Sequence, residues 1–372
     1  MPTVIDLFSG AGGLSLGAAR AGFTVSGSVE IDPFAIQVHK LNFPKAQHLP
    51  LDIGTLSGKR LLASSNLKSG QLCGLIGGPP CQGFSSIGHR MEGDERNDLF
   101  AHFFRLVSET NPAFFVAENV PGILDERYDT TRERAFANVP KKYRMLPPVK
   151  IQADQFGVPT TRTRIFFIGF DPKRFRQPLS PDLFAAPSEG LLTTVGEALR
   201  GLPEFIDPAW QTAEEGWRPV KKNVENWFFE RVKNAVPADV GDPISLERYL
   251  ERDEVSGCMG TRHTAEVLAR FANTIPGRVD QISKAIRLKH DGLCPTLRAG
   301  TAKERGSYQA VRPIHYSQPR VITAREAARL QGFPDWFIFH ETKWHSFRQI
   351  GNSVSPLVAE FILKRIYLAV AG

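Results

Sequence analysis

The feature that most constrains the fold is a series of short, almost wholly apolar segments that alternate with segments of helical periodicity. The segments "TVIDLF", "LCGLIGG", "AFFVAENV" and "RIFFIGF" contain few polar residues. Strands buried on both faces of a parallel sheet have this character, because helices cover each face. Alternating strands and helices indicate a doubly wound α/β fold. We therefore predict a Rossmann-like sheet for the first part of the chain.

A glycine-rich turn joins the first predicted strand to the first predicted helix. Gly10, Gly12, Gly13 and Gly17 lie in "SGAGGLSLG". Glycine lets the backbone approach a ligand closely, and the start of a helix favours negative charge. Ser15 stands where a nicotinamide-binding fingerprint has its third glycine, which weakens a dehydrogenase interpretation without excluding it.

Acidic residues follow the next two predicted strands. Glu30 ends "FTVSGSVE", where an acidic side chain commonly binds ribose hydroxyls, and Asp52 follows "LPL" and can bind an adenine amino group. The alternative is a tight turn with solvated carboxylates. The arrangement favours an adenosine-bearing cofactor at the carboxyl ends of the strands.

Regular patterning stops after Phe170 and returns near the end of the chain. Residues 171–260 are rich in Pro, Trp and charge, and they predict a second, smaller and irregular domain. In "ITAREAARLQGF", Thr323 and Glu326 have the spacing of a capping box. The final "SPLVAEFILKRIYLAVAG" has the apolar spacing of an amphipathic helix.

The distribution of charge and the hydropathy of the sequence limit the kinds of partner and the location that we expect for the protein. The net charge is +7, and residues 258–372 carry 17 Lys and Arg against 8 Asp and Glu, whereas residues 186–257 carry 8 against 14. The basic excess fits a polyanion contact, although a generic basic surface is equally consistent with it. The sequence has neither a membrane-length apolar run nor a basic leader, so we expect a cytoplasmic protein.

The four cysteines are scattered, and one of them stands in an unusual loop. Cys73, Cys258 and Cys294 show no CxxC spacing, which argues against a zinc ribbon or a redox pair. Cys81 follows a diproline in "GGPPCQGFS". From the residues alone, that thiol is either an incidental small residue or a nucleophile.

Six ordered motifs decide between these interpretations. The sequence contains "DLFSGAGGLSLG", "GGPPCQGFS", "AENVPGI", "FGVPTTRTRIFFIGF", "AARLQGFP" and "RQIGNSVSP". Together they resemble the DNA (cytosine-5) methyltransferases of bacteria and phages, from about residue 4 to 365. The resemblance implies a catalytic domain of residues 1–185 plus 343–372. It also implies a target-recognition domain and hinge over residues 186–342.

The resemblance assigns the chemistry to four residues. It makes Cys81 the nucleophile that adds to cytosine C6, and it makes Glu118 a proton donor at N3. Burial at the end of an apolar strand would favour the protonated form of Glu118. Arg164 would bind the cytosine O2, with Arg162 beside it. Thr160 stands where the family commonly has glutamine, so the contact of that position is in doubt.

The resemblance also implies that the cofactor is S-adenosylmethionine. We expect the following residues to bind it: Phe8, Gly10, Gly12, Gly13, Leu14, Glu30, Ile31, Asp52, Ile53, Pro80, Leu99, Asn352, Ser353 and Val354. We expect a second group to contact DNA or to hold the cysteine loop: Gln82, Ser85, Arg96 and Asn119. The loop that follows Cys81 is long and polar, as a segment closing over a flipped-out base should be. No metal site is expected.

We therefore predict a monomeric enzyme that methylates C5 of cytosine in double-stranded DNA. It would act alone or with a cognate restriction endonuclease, in the cytoplasm of a prokaryote and associated with the nucleoid. Three alternatives remain: a tRNA cytosine methyltransferase, a catalytically silent DNA-binding regulator, and a nicotinamide dehydrogenase.

Overall fold

The chain forms two compact units. The computed structural model describes residues 1–80, 97–187, 191–207, 209, 214–222, 226–233, 236–300 and 311–371. Unit 1 comprises Met1–Gln152, Thr163–Ala186 and Val358–Gly372, and unit 2 comprises Ala153–Arg162 and Pro187–Leu357. Each unit therefore draws residues from distant parts of the sequence.

Unit 1 is built on a sheet that has eight strands within the described residues. They are β1 (Thr3–Leu7), β2 (Thr24–Val29), β3 (Gln47–Leu49), β4 (Leu72–Gly77), β5 (Phe114–Asn119), β6 (Arg144–Met145), β7 (Val149–Gln152) and β8 (Thr163–Phe170). Their order is β3-β2-β1-β4-β5-β8-β6, and β7 also pairs with β8. The strands from β3 to β5 in this order pair in parallel. The predicted doubly wound sheet is confirmed.

An antiparallel extension completes this sheet. β8 runs antiparallel to β5, β6 and β7. Along the β5–β8 ladder, Glu118 pairs with Phe166 and Asn119 pairs with Ile165. The carboxyl end of β5 therefore lies beside the amino end of β8, which brings Glu118 and Arg164 to one edge of the sheet.

Helices α1 to α5 connect these strands. They are α1 (Gly13–Ala21), α2 (Pro33–Asn42), α3 (Gly58–Ser64), α4 (Asn97–Thr110) and α5 (Asp129–Phe136). Asp32 caps α2 by accepting a hydrogen bond from the backbone N–H of Phe34, and Pro33 stands in the first turn as expected.

Aromatic side chains fix α4 against the sheet. Phe100 and Phe104 on α4 are fully buried. The ring of Phe104 meets that of Phe115 on β5 edge-on, with centroids 5.6 Å apart, and Phe100 meets Phe167 on β8 at 5.7 Å. Edge-to-face pairs are a favoured aromatic geometry. α4 is therefore a rigid support for the loops at the carboxyl ends of the parallel strands.

Unit 2 has short elements joined by long connections. Its elements within the described residues are α6 (Val195–Leu199), β9 (Arg218–Pro219), α7 (Trp227–Lys233), α8 (Pro243–Arg252), β10 (Glu254–Val255), α9 (Ala265–Asn273), α10 (Ala324–Leu330) and α11 (Lys343–Asn352). β9 and β10 form a two-stranded antiparallel pair. The predicted bounds of the second domain stay a prediction, and residues 171–186 belong to unit 1.

Buried ion pairs hold unit 2 together around α10. Arg329 and Asp335 are buried and pair through Nε and Oδ1 at 2.8 Å. Glu326 on α10 is also buried; burial would raise its pKa, but Arg320 beside it outweighs burial and lowers the pKa to about 2. The capping box between Thr323 and Glu326 is present as predicted. Charged side chains thus occupy part of this core, in pairs.

The final helix, α12 (Pro356–Ala371), begins in unit 2 and continues into unit 1. It packs closely on α1, where a Cβ added at Gly17 would lie 2.3 Å from the Cβ of Ala359. Among the described residues, no helix is both long and apolar enough to cross a membrane.

Candidate active site

The turn after β1 has residues with positive φ angles and free space beside its backbone. Phe8, Gly10 and Gly12 have φ angles of 57°, 54° and 104°. A Cβ at Gly12 would lie 2.4 Å from the ring of Phe43, so a side chain is sterically excluded there. A Cβ at Gly10 would meet no atom of the described residues within 4 Å. The turn therefore leaves space beside the backbone of Gly10, as a ligand requires.

Glu30 holds this turn from the end of β2. Its Oε2 accepts a hydrogen bond from the backbone N–H of Gly10 at 3.0 Å. Its Oε1 accepts from the N–H groups of Ile31 and Asp32 at 2.8 and 2.9 Å. The carboxylate is fixed in place and only partly buried, and its remaining lone pairs can accept hydroxyl donors.

A second acidic residue lies after β3. Asp52 Oδ1 accepts from the N–H of Gly54 at 2.8 Å and starts a short 3-10 turn, in which Ile53 is buried. The Arg105 side chain on α4 donates to the carbonyls of Ile53 and Leu56, both at 2.9 Å. Arg105 therefore fixes the turn that carries Asp52. The sequence did not indicate this contact, because an arginine on a helix face is ordinary.

A buried polar chain lies beneath the glycine turn. Ser15 Oγ donates to Asp6 Oδ2 at 2.6 Å and lies 3.0 Å from His39 Nε2. His39 Nδ1 lies 2.9 Å from His48 Nε2. Burial raises the pKa of Asp6 to about 7, and burial lowers the pKa of His39 well below its usual value. Asp6 is an acidic residue within an apolar strand, which was a sign in the sequence of these buried polar contacts. The sequence analysis missed it.

The strand that leads toward Cys81 is anchored to β5. Asn119 is buried, and its Nδ2 donates to the carbonyl of Pro79 at 3.4 Å. Pro79 is buried and Pro80 is partly buried. The expected contact of Asn119 near the cysteine loop thus has a counterpart at Pro79. Four predicted site residues lie outside the described residues: Cys81, Gln82, Ser85 and Arg96.

Glu118 and Arg164 form a partly buried ion pair at the β5–β8 edge. Arg164 Nε lies 2.6 Å from Glu118 Oε1, and their side chains are 16% and 11% exposed. The N–H is not aligned for a hydrogen bond, so Oε1 is buried without a hydrogen-bond partner among the described residues. A buried acceptor without a hydrogen bond is costly unless a ligand completes it.

Arg162 precedes β8 and belongs to unit 2. It is buried, and its Nη1 donates to the carbonyls of Leu297 and Gly351 at 3.3 and 3.0 Å. Thr160 is buried in a backbone bridge with Cys294. The side chains of both residues lie where distant segments of unit 2 meet.

The remaining predicted cofactor residues divide between the two units. Leu14 is buried in α1, Ile31 is exposed after β2, and Leu99 is partly buried near the start of α4. Asn352 ends α11, and the carbonyl of the adjacent Ser353 accepts a hydrogen bond from Gln331 at 2.8 Å. Val354 is also buried in unit 2.

Comparison with solved structures gives the class of this fold. The chain matches a protein described as a DNA modification methyltransferase encoded within a prophage (E. coli), with a TM-score of 0.89 and 48% identity over 100% of both chains. It matches the S. pombe Dnmt2 methyltransferase with a TM-score of 0.65 and 19% identity over 100% of both chains, a likeness of fold. Fold and site together define an α/β methyltransferase.

Sequence relatives and a family model give the family. The Type II methyltransferase M.XorII of Xanthomonas oryzae pv. oryzae is 40% identical, over 97% of this chain and 83% of its own. The Type II methyltransferase M1.HphI of Haemophilus parahaemolyticus is 34% identical, over 98% of this chain and 86% of its own. The model for C-5 cytosine-specific DNA methylases matches residues 2–368, and the chain belongs to this family. It is an enzyme that methylates C5 of cytosine in DNA, with S-adenosylmethionine as the family's methyl donor.

Proposed function

We propose that this enzyme methylates one cytosine within a specific duplex sequence, after the base has left the helix and while Cys81 is bonded to its C6. The observation that carries the proposal is the Glu118–Arg164 pair, in which one buried carboxylate oxygen has no hydrogen-bond partner among the residues that the structure describes. Glu118 lies on β5, and the next residue of that strand, Asn119, donates to the carbonyl of Pro79, which is two positions before Cys81 in sequence. This placement supports a shared role with the cysteine.

The electron balance explains why a thiol and a proton donor belong together. The Cys81 thiolate adds to C6, and electrons move toward C5 while N3 gains a hydrogen bond or a proton. C5 then takes the methyl group and loses its own proton to water. The thiolate leaves C6 as the ring regains its double bond and N3 gives up its proton. The cofactor supplies the methyl group as an electrophilic sulfonium substituent.

Glu118 and Arg164 suit two neighbouring positions on the Watson–Crick edge of cytosine, N3 and O2. In its protonated form, Glu118 can donate to N3, and the guanidinium of Arg164 can donate to O2. In the structure, Arg164 Nε lies 2.6 Å from Glu118 Oε1. The two side chains are therefore close enough to meet neighbouring atoms of one base, Arg164 at O2 and Glu118 at N3.

The residues of unit 1 fit an adenosine-bearing cofactor. The space beside Gly10 can admit part of a ligand, the fixed carboxylate of Glu30 can accept from ribose hydroxyls, and Asp52 can accept from an adenine amino group. These three features lie after neighbouring parallel strands. The roles proposed for the other cofactor residues follow from the resemblance: Phe8, Gly12, Gly13, Leu14, Ile31, Ile53, Pro80, Leu99 and Asn352–Val354.

Target recognition and cellular context extend the proposal. We assign sequence reading to residues 186–342, with Gln82, Ser85 and Arg96 contacting DNA around the flipped base. The bacterial Type II relatives support a restriction–modification role with a cognate endonuclease, in the cytoplasm and at the nucleoid. A single reactive cysteine per duplex site suits a monomer.

Bisulfite sequencing of DNA from a host that expresses the chain would identify the methylated cytosine. A duplex with 5-fluorocytosine at that position should then form a covalent adduct with the wild-type enzyme, because fluorine blocks loss of the C5 substituent. Cys81→Ser should form no adduct, whereas Cys73→Ala is the matched control, since Cys73 is buried in β4. An adduct that persists in Cys81→Ser would refute the assignment.

Glu118→Gln separates proton donation from binding. Gln keeps the size and a hydrogen-bonding amide but cannot transfer a proton, so methyl transfer should slow by roughly 100-fold or more. Cofactor binding, measured by calorimetry, should remain. Methyl transfer at the wild-type rate would exclude Glu118 as the donor.

A further inference from the structure

The polar side chains beneath the glycine turn connect four elements of unit 1. Asp6 belongs to β1, Ser15 to the first turn of α1, His39 to α2 and His48 to β3. Contacts of 2.6, 3.0 and 2.9 Å join them in this order. Asp6, Ser15 and His39 are fully buried, whereas His48 is partly exposed. The four side chains therefore connect a carboxyl in the core with solvent.

Each of these groups can carry a hydrogen on either side of its contact. With Asp6 ionised, the Ser15 hydroxyl donates to Asp6 and accepts from His39 Nε2–H. His39 Nδ1 then accepts from His48 Nε2–H. With Asp6 protonated, all three hydrogen bonds reverse, and His48 holds its hydrogen on Nδ1. The two arrangements differ by one proton and keep all three contacts.

The surroundings of Asp6 suit a carboxyl that gains and loses a proton. Its Oδ1 is buried and has no hydrogen-bond partner among the residues that the structure describes, so the ionised form is poorly stabilised. Burial raises the pKa of Asp6 to about 7, the charge of Glu30 adds to this rise, and hydrogen bonds from Ser15 oppose it. At the other end, burial and the charge of Lys40 on α2 lower the pKa of His48.

The buried end of this path lies directly under the glycine turn. Asp6 precedes the turn on β1, and Ser15 follows it on α1. A Cβ at Gly12 would lie 3.2 Å from His39 Cδ2, and the His39 ring packs on Phe43 with centroids 4.4 Å apart. Charges interact more strongly in the protein interior than in water. A ligand charge at the turn therefore acts on the Asp6 carboxyl.

We propose that Ser15, His39 and His48 conduct protons between solvent and Asp6, and that binding of the cationic methyl donor expels the Asp6 proton along this path. The inference rests on the proposed function, which puts the cofactor at the glycine turn. S-adenosylmethionine carries a sulfonium charge that its demethylated product, S-adenosylhomocysteine, lacks. A nearby cation favours the ionised form of a carboxyl. Asp6 therefore favours binding of the charged donor over that of the spent product.

The expelled proton can be followed atom by atom. Asp6 Oδ2 gives its proton to Ser15 Oγ, and the hydroxyl proton of Ser15 passes to His39 Nε2. The Nδ1 proton of His39 passes to His48 Nε2, and His48 releases its own Nδ1 proton to water. Burial lowers the pKa of His39 well below its usual value, so this ring passes a proton on and does not store one. One proton leaves the protein, and no bond between heavy atoms changes.

The number of protons released on cofactor binding tests the proposal in the wild-type enzyme. Isothermal titration calorimetry of the full chain at about pH 7, in buffers with different enthalpies of ionisation, gives this number. S-adenosylmethionine should release about half a proton per molecule, because about half of the Asp6 carboxyls are protonated near their pKa. S-adenosylhomocysteine has the same amino and carboxyl groups but should release much less. Equal release by the two ligands would overturn the proposal.

Asp6→Asn identifies the source of the proton. In the wild type, the affinity for S-adenosylmethionine relative to S-adenosylhomocysteine should rise roughly fivefold from about pH 5.5 to about pH 7.5, the lower end of the usual range for coupled sites. In Asp6→Asn this rise should vanish, because the amide cannot ionise. Asp182→Asn changes an exposed carboxyl of the same unit and should behave as the wild type. A rise that persists in Asp6→Asn would exclude Asp6 as the source.

His48→Ala tests the path itself. A stopped-flow experiment with a pH-indicator dye follows the rate of proton release when S-adenosylmethionine binds. Without His48, release should slow by about tenfold or more, because the proton must wait for local opening of the fold. Added imidazole should restore the rate, since His48 is partly exposed and its removal leaves space open to solvent. A wild-type rate in His48→Ala, or slowing that imidazole does not restore, would refute the path.

Failure of this proposal is distinguishable from failure of the proposed function. If S-adenosylmethionine binds with no more proton release than S-adenosylhomocysteine, Asp6 does not respond to the sulfonium charge, and the cofactor assignment stands. If calorimetry detects no binding of S-adenosylmethionine to the wild-type enzyme, the proposed cofactor site fails. The adduct experiment with 5-fluorocytosine tests the reaction mechanism independently of both.

Discussion

Replacing Asp6 with Asn removes a titratable carboxyl from beneath the glycine turn and changes its size little. Asp6 is fully buried on β1 and accepts a hydrogen bond from Ser15 Oγ. Burial is the main cause that raises its pKa to about 7 from an ordinary value of 3.8, and the charge of Glu30 adds to it. An Asn at this position keeps a carbonyl acceptor for Ser15 but cannot ionise. We expect the variant to lack the loss of folding stability that ionisation of this carboxyl causes in the wild type as pH rises.

The raised pKa sets the sign and size of this effect. Between the unfolded and folded pKa values of Asp6, the folded protein holds a proton that the unfolded chain has released. The free energy of unfolding therefore falls as pH rises, by about 1.4 kcal/mol per pH unit. Over a shift of about three units, the loss approaches about 4 kcal/mol at and above pH 7. Below the unfolded pKa the carboxyl is protonated in both states, and no penalty remains.

Urea unfolding of the full chain, followed by tryptophan fluorescence from about pH 5 to about pH 8, measures this difference. The free energy of unfolding of Asp6→Asn minus that of the wild type should increase with pH and level off near pH 7. Asp182→Asn changes an exposed carboxyl of the same unit and serves as the control. A difference that does not vary with pH would show that Asp6 does not hold its proton in the folded state.

Three further substitutions test contacts described above. Arg105→Met removes the donors to the turn that carries Asp52. The KM for S-adenosylmethionine, measured by steady-state kinetics, should rise by roughly tenfold, which is the effect of about one lost charged hydrogen bond. The change in kcat should be smaller. Gly17→Ala should lower the free energy of unfolding by about 1–3 kcal/mol, because the new methyl group would overlap Ala359; unchanged urea denaturation would contradict this packing. Arg329→Met leaves a buried carboxylate without its cation and should cost about 3–5 kcal/mol in the same measurement, with a smaller loss counting against the buried pair.

Much of unit 1 could be predicted because its signals are local. The apolar runs that became β4, β5 and β8 need burial on both faces. In unit 2, the capping box at Thr323 was predictable for the same reason, because it depends only on residues three positions apart. The glycine turn and the placement of Glu30 at a strand end follow from the same reasoning. Local chemistry decides such features, so a single sequence contains them.

Contacts between distant segments could not be predicted in this way. The resemblance placed Arg162 beside Arg164, yet Arg164 pairs with Glu118 in unit 1 while Arg162 donates to the carbonyls of Leu297 and Gly351 in unit 2. The role of a side chain here depends on which remote carbonyl or carboxylate it meets. The assigned roles of the site residues stay predictions, and the adduct experiment with Cys81→Ser tests that of Cys81.

The antiparallel ladder between β5 and β8 has a consequence for how such enzymes diversify. Backbone hydrogen bonds hold the two strand ends side by side, so the spacing of Glu118 and Arg164 does not depend on the length of the chain between them. Insertions or deletions around α5 would leave the acid and the guanidinium in register. Evolution can therefore change the segment between β5 and β8, and the contacts that it makes, without changing the spacing of Glu118 and Arg164.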